Sequence, residues 1–212
     1  MDIFEFWSSV HPKARMHPAD EAVFKRVPKH GFNLDALPGC FMGPLRTAPV
    51  VLLFLSPGLD EGDTPTPALI EWNRRTRLGT EPLVSASVQA PTYRWWTKRT
   101  RFLGYDPEVL ADKVAVLNIG AYHSRTFGDH GLLAALPSSR VSLDWTQSVL
   151  FPAAERGERA VICLRAAKYW GLEVGANYAG TLFAPQVTRG GHVHVKKRQR
   201  IVSAVQRLLE RL

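Results

Sequence analysis

A serine, an asparagine and two histidines stand just past runs of strand-forming residues in this 212-residue chain, and together they could do chemistry. Ser56-Pro57-Gly58 follows the first such run, Asn118 closes the second, and Tyr122-His123-Ser124-Arg125 comes directly after it. His192 lies late, in the loop Arg189-Gly190-Gly191-His192. An amide presents both a donor and an acceptor, which suits the edge of a heterocyclic base. A histidine can donate to a group that gathers negative charge, and an arginine can meet phosphate. Asp60, Glu61 and Asp63 supply carboxylates just beyond the first turn. Other chemistries fit poorly. His192-Val193-His194 puts two imidazoles on one face of a strand, but no Asp, Glu or Cys stands near, so no metal is expected. Neither Ser56 nor Ser124 sits in a Gly-x-Ser-x-Gly elbow. There is no phosphate-cradling Gly-x-x-x-x-Gly-Lys loop and no dinucleotide fingerprint, so no cofactor is expected.

The elements that position these residues follow from the apolar pattern. Residues 49–55, 114–119 and 160–164 are near-continuous apolar runs, the mark of strands buried on both faces of a parallel sheet. Residues 181–185 are a weaker fourth, with Pro185 suiting an edge or a strand end. Helical patterns fall between them, over residues 67–78, 143–156 and 165–172, with Pro152 expected to kink or end the second. The clearest helix closes the chain, with Ile201, Val205, Leu208 and Leu212 on one stripe. This alternation predicts an α/β fold: three layers, α/β/α, around a central four-stranded, mainly parallel sheet. The chain is expected to form one domain, with residues 1–48 as an N-terminal helical wrap (a helix over residues 19–27) and residues 49–212 as the α/β core. In such sheets ligands bind beyond the carboxyl ends of the strands, where the polar residues above would gather.

Composition narrows the function. Hydrophobic residues make up 45% of the chain, as in an ordinary globular protein, and no apolar run approaches the roughly 18 residues of a membrane span. The N-terminus lacks the basic flank of a secretory signal, so a cytoplasmic protein is expected. Cys40 and Cys163 exclude a multi-disulfide framework and a four-cysteine metal site within the chain. The net charge of +8 is concentrated in two segments. Residues 71–105 carry seven basic side chains against two acidic ones, and residues 189–212 carry seven against one. Uneven basic charge suits a polyanion, and the rings interleaved in the first segment (Trp72, Tyr93, Trp95, Trp96, Phe102) could stack on bases, although half or more are expected in the core. A solvated basic face is the plain alternative.

The order of these motifs resembles the uracil-DNA glycosylase superfamily, over about residues 49–195 and as pattern rather than identity. Members of that family carry Asp-Pro, Asn-Pro-Gly or Ala-Pro-Gly in the first turn, where Ser56-Pro57-Gly58 stands here. Their second strand often ends in Leu-Leu-Leu-Asn, matched by Val116-Leu117-Asn118. The resemblance implies that Asn118 reads the edge of an extruded base in a pocket shared with Pro57, Gly58 and Tyr122. It implies a catalytic set of His192, which would stabilise the leaving base, with Ser56 and Asp60 at the water. His123, Arg125, Arg189, Lys196, Lys197 and Arg198 would hold nucleic acid, DNA ahead of RNA. Ser56 departs from the family, because a hydroxyl cannot supply the charge of the usual acid; Asp60, Glu61 and Asp63 are the candidate substitutes. Three functions are therefore weighed: cleavage of the N-glycosidic bond of a damaged or deaminated base, binding of nucleic acid or a nucleotide without catalysis, and, behind these, hydrolysis of a small nucleoside-like substrate. A monomer is expected in each case.

Overall fold

The computed structural model of the chain describes residues 1–60, 63–188 and 190–211, and for Lys196 and Lys197 the backbone only. Its strands are, in chain order, β1 (Phe41–Met42), β2 (Val50–Phe54), β3 (Val114–Asn118), β4 (Ala160–Cys163) and β5 (Leu182–Phe183). They form one sheet in the order β1-β3-β2-β4-β5. Strands β2 to β5 run parallel, and β1 lies antiparallel against β3. The four expected strands are all present, but the sheet has five strands and is mixed. The fifth, β1, is two residues long, too short to show an alternating pattern, and it falls in the stretch expected to be helical wrap. Both edges of the sheet are therefore two-residue strands.

The helices are α1 (Ile3–Ser8), α2 (Glu21–Arg26), α3 (Pro67–Thr76), α4 (Ala86–Thr100), α5 (Pro107–Ala111), α6 (His130–Ala135), α7 (Pro137–Trp145), α8 (Phe151–Glu155) and α9 (Val195–Leu209). They cover both faces of the sheet. Because side chains alternate along a strand, Val51, Leu53, Ala115, Leu117, Val161 and Cys163 face α1 and the α6–α8 layer. Val50, Leu52, Phe54, Val114, Val116 and Ile162 face α3, α4, α5 and α9. Helix α9 buries Ile201, Val205 and Leu208 of the expected stripe, with Ala204 beside them, while Leu212 lies outside the described residues; each large side chain contributes about 1.5–3 kcal/mol of burial. No helix of the described residues is long and apolar enough to cross a membrane.

Several local expectations shift. Helix α7 starts at Pro137, well before the expected 143, and the chain stays helical through Pro152. A widened turn over Thr146–Leu150 joins α7 to α8, letting the helix pass a proline that lacks its own N–H. Residues 165–172 hold only a 3₁₀ turn, Ala167–Trp170. Helix α4 was not expected. Its first turn is broken from the rest at Gln89, whose backbone is extended, and Pro91 follows two residues later, so the apolar stripe is interrupted. The N-terminal segment is more than a wrap: Ile3, Phe4, Phe6 and Trp7 of α1 are buried in the core.

That segment is locked by a buried polar network. Asp20 is fully buried; its Oδ1 accepts from the Ser138 amide at 3.0 Å and its Oδ2 from the Tyr122 hydroxyl at 2.5 Å. The Tyr122 oxygen in turn accepts from the His17 amide at 3.1 Å, and the His17 ring stacks on Phe6 at 3.7 Å. Burial and the Asp20 carboxylate push the Tyr122 phenol far above its ordinary value. Tyr122 is buried and does not line the cleft at the strand ends, where it was expected; it ties residues 17–20 to the loop after β3. Leaving a buried carboxylate oxygen without its donor costs about 1–3 kcal/mol. Tyr122→Phe is expected to lose that much in urea unfolding while ligand binding elsewhere is unchanged.

Candidate functional site

The carboxyl ends of β2, β3 and β4 open onto a cleft of about 500 Å³. Its place follows from the strand order. The chain leaves β2 for β3 on one side, whereas β4 leads to β5 on the other, so the crossovers part between β2 and β4. Backbone hydrogen bonds extend the β2–β3 pairing past the strands: Gly120 N to Leu55 O at 2.8 Å and Ser124 N to Pro57 O at 3.2 Å. At Gly120 the packing is close: a Cβ would come within 2.6 Å of the Leu133 side-chain methyl, which would have to move. The first turn and the Tyr122–Arg125 segment are thus stitched together, and Ser56, Pro57, Gly58 and Asp60 all line the cleft.

Asn118 ends β3 opposite Phe54 in the parallel register, so both side chains lie on the face shared with Val116. Asn118 is 9% exposed, lines the cleft, and its amide forms no hydrogen bond with any described residue. Its side-chain amide is not among the fully buried polar groups, so its donor and its acceptor stay open to the cleft. Beside it, the Phe54 and Trp95 rings pack at 4.9 Å between centroids, and Trp72 adds a third aromatic to the lining. This corner is flat-walled, apolar, and carries one donor and one acceptor.

The acid–base group of the cleft is Asp63 with His123. The Asp63 side chain is 7% exposed, and both oxygens are engaged. Oδ2 accepts from the Asp60 amide at 2.6 Å and from His123 Nδ1 at 3.1 Å; Oδ1 accepts from Gln89 Nε2 at 2.8 Å. His123 Nδ1 also lies 2.7 Å from the Gly58 carbonyl. Two acceptors at one nitrogen place the proton on Nδ1, which leaves Nε2 as the basic atom, and it has no partner among the described residues. Burial pushes the Asp63 carboxyl up, but the bond and charge of His123, the Asp60 amide and Gln89 outweigh it and hold it below its usual range. The break in α4 serves this pair: Gln89 donates to Asp63 while its Oε1 accepts from the Thr92 amide at 3.0 Å.

At the other side of the cleft, Arg99 Nη1 donates to His192 Nε2 at 3.2 Å and the guanidinium lies 5.6 Å from the Trp95 ring centre. His192 is therefore an acceptor at Nε2. Burial, and then Arg99, Lys98 and Arg198, hold it below the ordinary histidine value. It does not line the cleft itself.

The structure thus brings Ser56, Pro57, Gly58, Asp60, Asn118, His123 and Arg125 to one cavity. Within it, His123 contacts a carboxylate, whereas His192 is not among the lining residues and its Nε2 accepts from Arg99. Arg198 Nε donates to the Val193 carbonyl at 2.9 Å and does not line the cleft. Arg189 and Glu61, and the side chains of Lys196 and Lys197, lie outside the described residues. Among the described residues no three His, Cys, Asp or Glu are grouped as a metal site would need. Both cysteines are buried and free, each thiol pushed up to about 12 by burial. Of the seven basic residues at 71–105, Arg74 and Arg75 pair with Glu71 and Glu81 at the surface and Arg77 is buried against the Val10 carbonyl, while Arg94, Lys98 and Arg101 are exposed. Gln89, Arg99 and Phe54 have roles that no sequence motif marks; only the early proline of α4 hinted at a break there. Compared with known proteins, the chain matches no family model, no curated protein and no solved structure.

A carboxyl held below its usual value favours the folded state above that value, and the contribution is lost as pH falls through the folded-state pKa. Asp63→Asn puts an amide N–H₂ where either Gln89 or His123 already donates. It is expected to lower stability at neutral pH, with the gap to wild type closing as pH falls below about 3.8, the ordinary carboxyl value. Urea unfolding of both proteins across pH 2–7 measures this; a gap that does not change with pH would show that the Asp63 charge contributes nothing.

Proposed function

We propose that the cleft takes up a single base extruded from a nucleic acid strand and that the chain hydrolyses its N-glycosidic bond, in the manner of the uracil-DNA glycosylases its motifs resemble. The observation that carries this is the unpaired Asn118 amide, set beside the Phe54–Trp95 wall in the same cavity as the Asp63–His123 pair. A base is the ligand class that needs both a flat apolar seat and a paired donor and acceptor on its edge. The carboxylate missing at Ser56 is supplied a few residues on, by Asp63, through His123.

In the reaction, a water oxygen bonds to the anomeric carbon while the bond from that carbon to the base nitrogen breaks, its electron pair leaving with the base. His123 Nε2 accepts the water proton, and the Asp63 carboxylate stabilises the imidazolium that results. The Asn118 amide donates to a carbonyl of the departing base, where negative charge collects, and accepts from its ring N–H. Ser56 and the Gly58 backbone bound the cavity on the sugar side, as the turn after β2.

Binding without turnover is the second reading. Ser56 favours it, as does the full occupancy of the Asp63 oxygens, which leaves that carboxylate no direct contact with water.

Oligonucleotides carrying uracil, hypoxanthine or other altered bases, incubated with the protein and then treated with alkali, test both readings. Base release is expected, with His123→Ala lowering the single-turnover rate about 10²–10⁴-fold, the usual contribution of a general base. Asn118→Ala is expected to weaken both binding and release. Saturable binding with no strand breaks on any lesion would favour the non-catalytic reading, and no binding at low salt would overturn both.

A further inference from the structure

The cleft does not end at Asn118. Toward the β1 edge of the sheet its lining continues through Leu37, Gly39 and Met42 on one side and Leu69, Trp72 and Asn73 of α3 on the other. The chain before β1 runs beside the end of β3. There the Asn118 backbone N–H donates to the Cys40 carbonyl at 2.6 Å and the Gly39 N–H to the Ala121 carbonyl at 3.0 Å. Leu69, Trp72 and Asn73 are spaced i, i+3 and i+4, so they share one face of α3. Leu69 and Trp72 pack on the sheet face that carries Phe54 and Val116, and Asn118 lies on that same face. The two asparagines therefore meet one recess, Asn118 from the sheet and Asn73 from the helix. Gly39 lies against Asn73: a Cβ there would stand 3.5 Å from Asn73 Nδ2.

The Asn73 side chain has no hydrogen-bond partner among the described residues. Its Oδ1 is shielded from solvent without a donor, whereas its Nδ2 is not shielded in that way. An apolar residue in its place would remove a shielded carbonyl that has no donor, so the amide is a cost to the fold. What it offers the cleft is one N–H donor. The recess also adds room. The cleft's volume of about 500 Å³ falls in the range of roughly 300–1,000 Å³ that encloses a ligand of several rings, more than one six-membered ring fills.

A base whose carbonyl and ring N–H are held by Asn118 turns its neighbouring edge atom to Asn73. Next to the 4-carbonyl of a uracil that atom is a C–H, which a donor cannot use. In a 6-oxopurine it is N7, an acceptor beside O6 on the second ring.

We propose that Asn73 is a second base-reading residue, its Nδ2 donating to N7, and that the base the cleft takes up is a 6-oxopurine such as hypoxanthine. The proposal rests on the extruded-base reading above and supplies its substrate class; it concerns binding and needs no turnover.

Single-stranded oligonucleotides carrying one hypoxanthine, one 7-deazahypoxanthine, one uracil or no altered base test it. Their dissociation constants are compared in the His123→Ala background, in which base release is slow. Hypoxanthine is expected to bind more tightly than uracil, and replacing N7 by C–H is expected to weaken binding about 3- to 10-fold, as for one neutral hydrogen bond. With Asn73→Leu added, the hypoxanthine strand is expected to lose the same factor and the 7-deaza change to have no further effect. Urea unfolding checks that this variant is folded. Gly39→Ala probes the same point without altering α3: Gly39 has no positive φ, so alanine fits the backbone, and its Cβ would cover Asn73 Nδ2. It is expected to weaken hypoxanthine more than uracil. A 7-deaza penalty that persists in full with Asn73→Leu, or uracil bound as tightly as hypoxanthine before either change, overturns the proposal while leaving the base reading in place. Binding that does not distinguish any altered base from the unmodified strand removes the base reading, and this proposal with it.

Discussion

Asp63 is a nearly buried carboxylate, and three separate pieces of chain converge on it. The backbone of Asp60 comes from the loop after β2, Gln89 from the break in α4, and His123 from the loop after β3. A buried charge left short of donors would cost several kcal/mol, so each segment is held where it is by the need to complete the set. The consequences reach through the cleft. His123 cannot rotate without abandoning Asp63 and Gly58, and α4 cannot straighten without withdrawing Gln89. With α4 fixed, Trp95 is fixed against Phe54 and Arg99 against His192. One ionised group therefore orders both the aromatic corner and the cationic one.

The sheet makes this convergence possible. Parallel strands bring all their carboxyl ends to one side, and the parting of the crossovers between β2 and β4 keeps that side uncovered. Loops that are distant in sequence then meet over a few ångströms. The Gly58 and Ser124 segments pair as though the strands continued, and this brings the His123 ring against the Gly58 carbonyl.

What could be read from the residues alone was the part governed by unbroken or periodic apolarity. The runs at 50–54, 114–118 and 160–163 are strands, the last helix follows its stripe, and a cleft opens at the strand ends, where the fold class predicts one. Asn118 was legible for the same reason, since a polar residue ending a buried strand has few places to point. The remainder depends on contacts that leave no local signature. Tyr122 and His123 are neighbours in sequence, yet one faces inward to Asp20 and the other outward to Asp63; nothing in the tetrapeptide Tyr122-His123-Ser124-Arg125 says which. Gln89 was invisible because its value comes from a broken helix rather than a regular one. Net charge does not show which basic residues of 71–105 are already engaged: Arg74, Arg75 and Arg77 meet Glu71, Glu81 and a backbone carbonyl.

The shortness of the two edge strands has a bearing on how the molecule can meet others. A long free strand edge invites another chain to add itself by backbone hydrogen bonds, whatever its sequence. Here β1 and β5 offer two residues each, too little to template such a ladder. Recognition is thereby left to side chains, and the side chains that gather charge, rings and unspent hydrogen bonds lie at the open end of the strands. A fold that is blind at its flanks has its selectivity concentrated at one mouth.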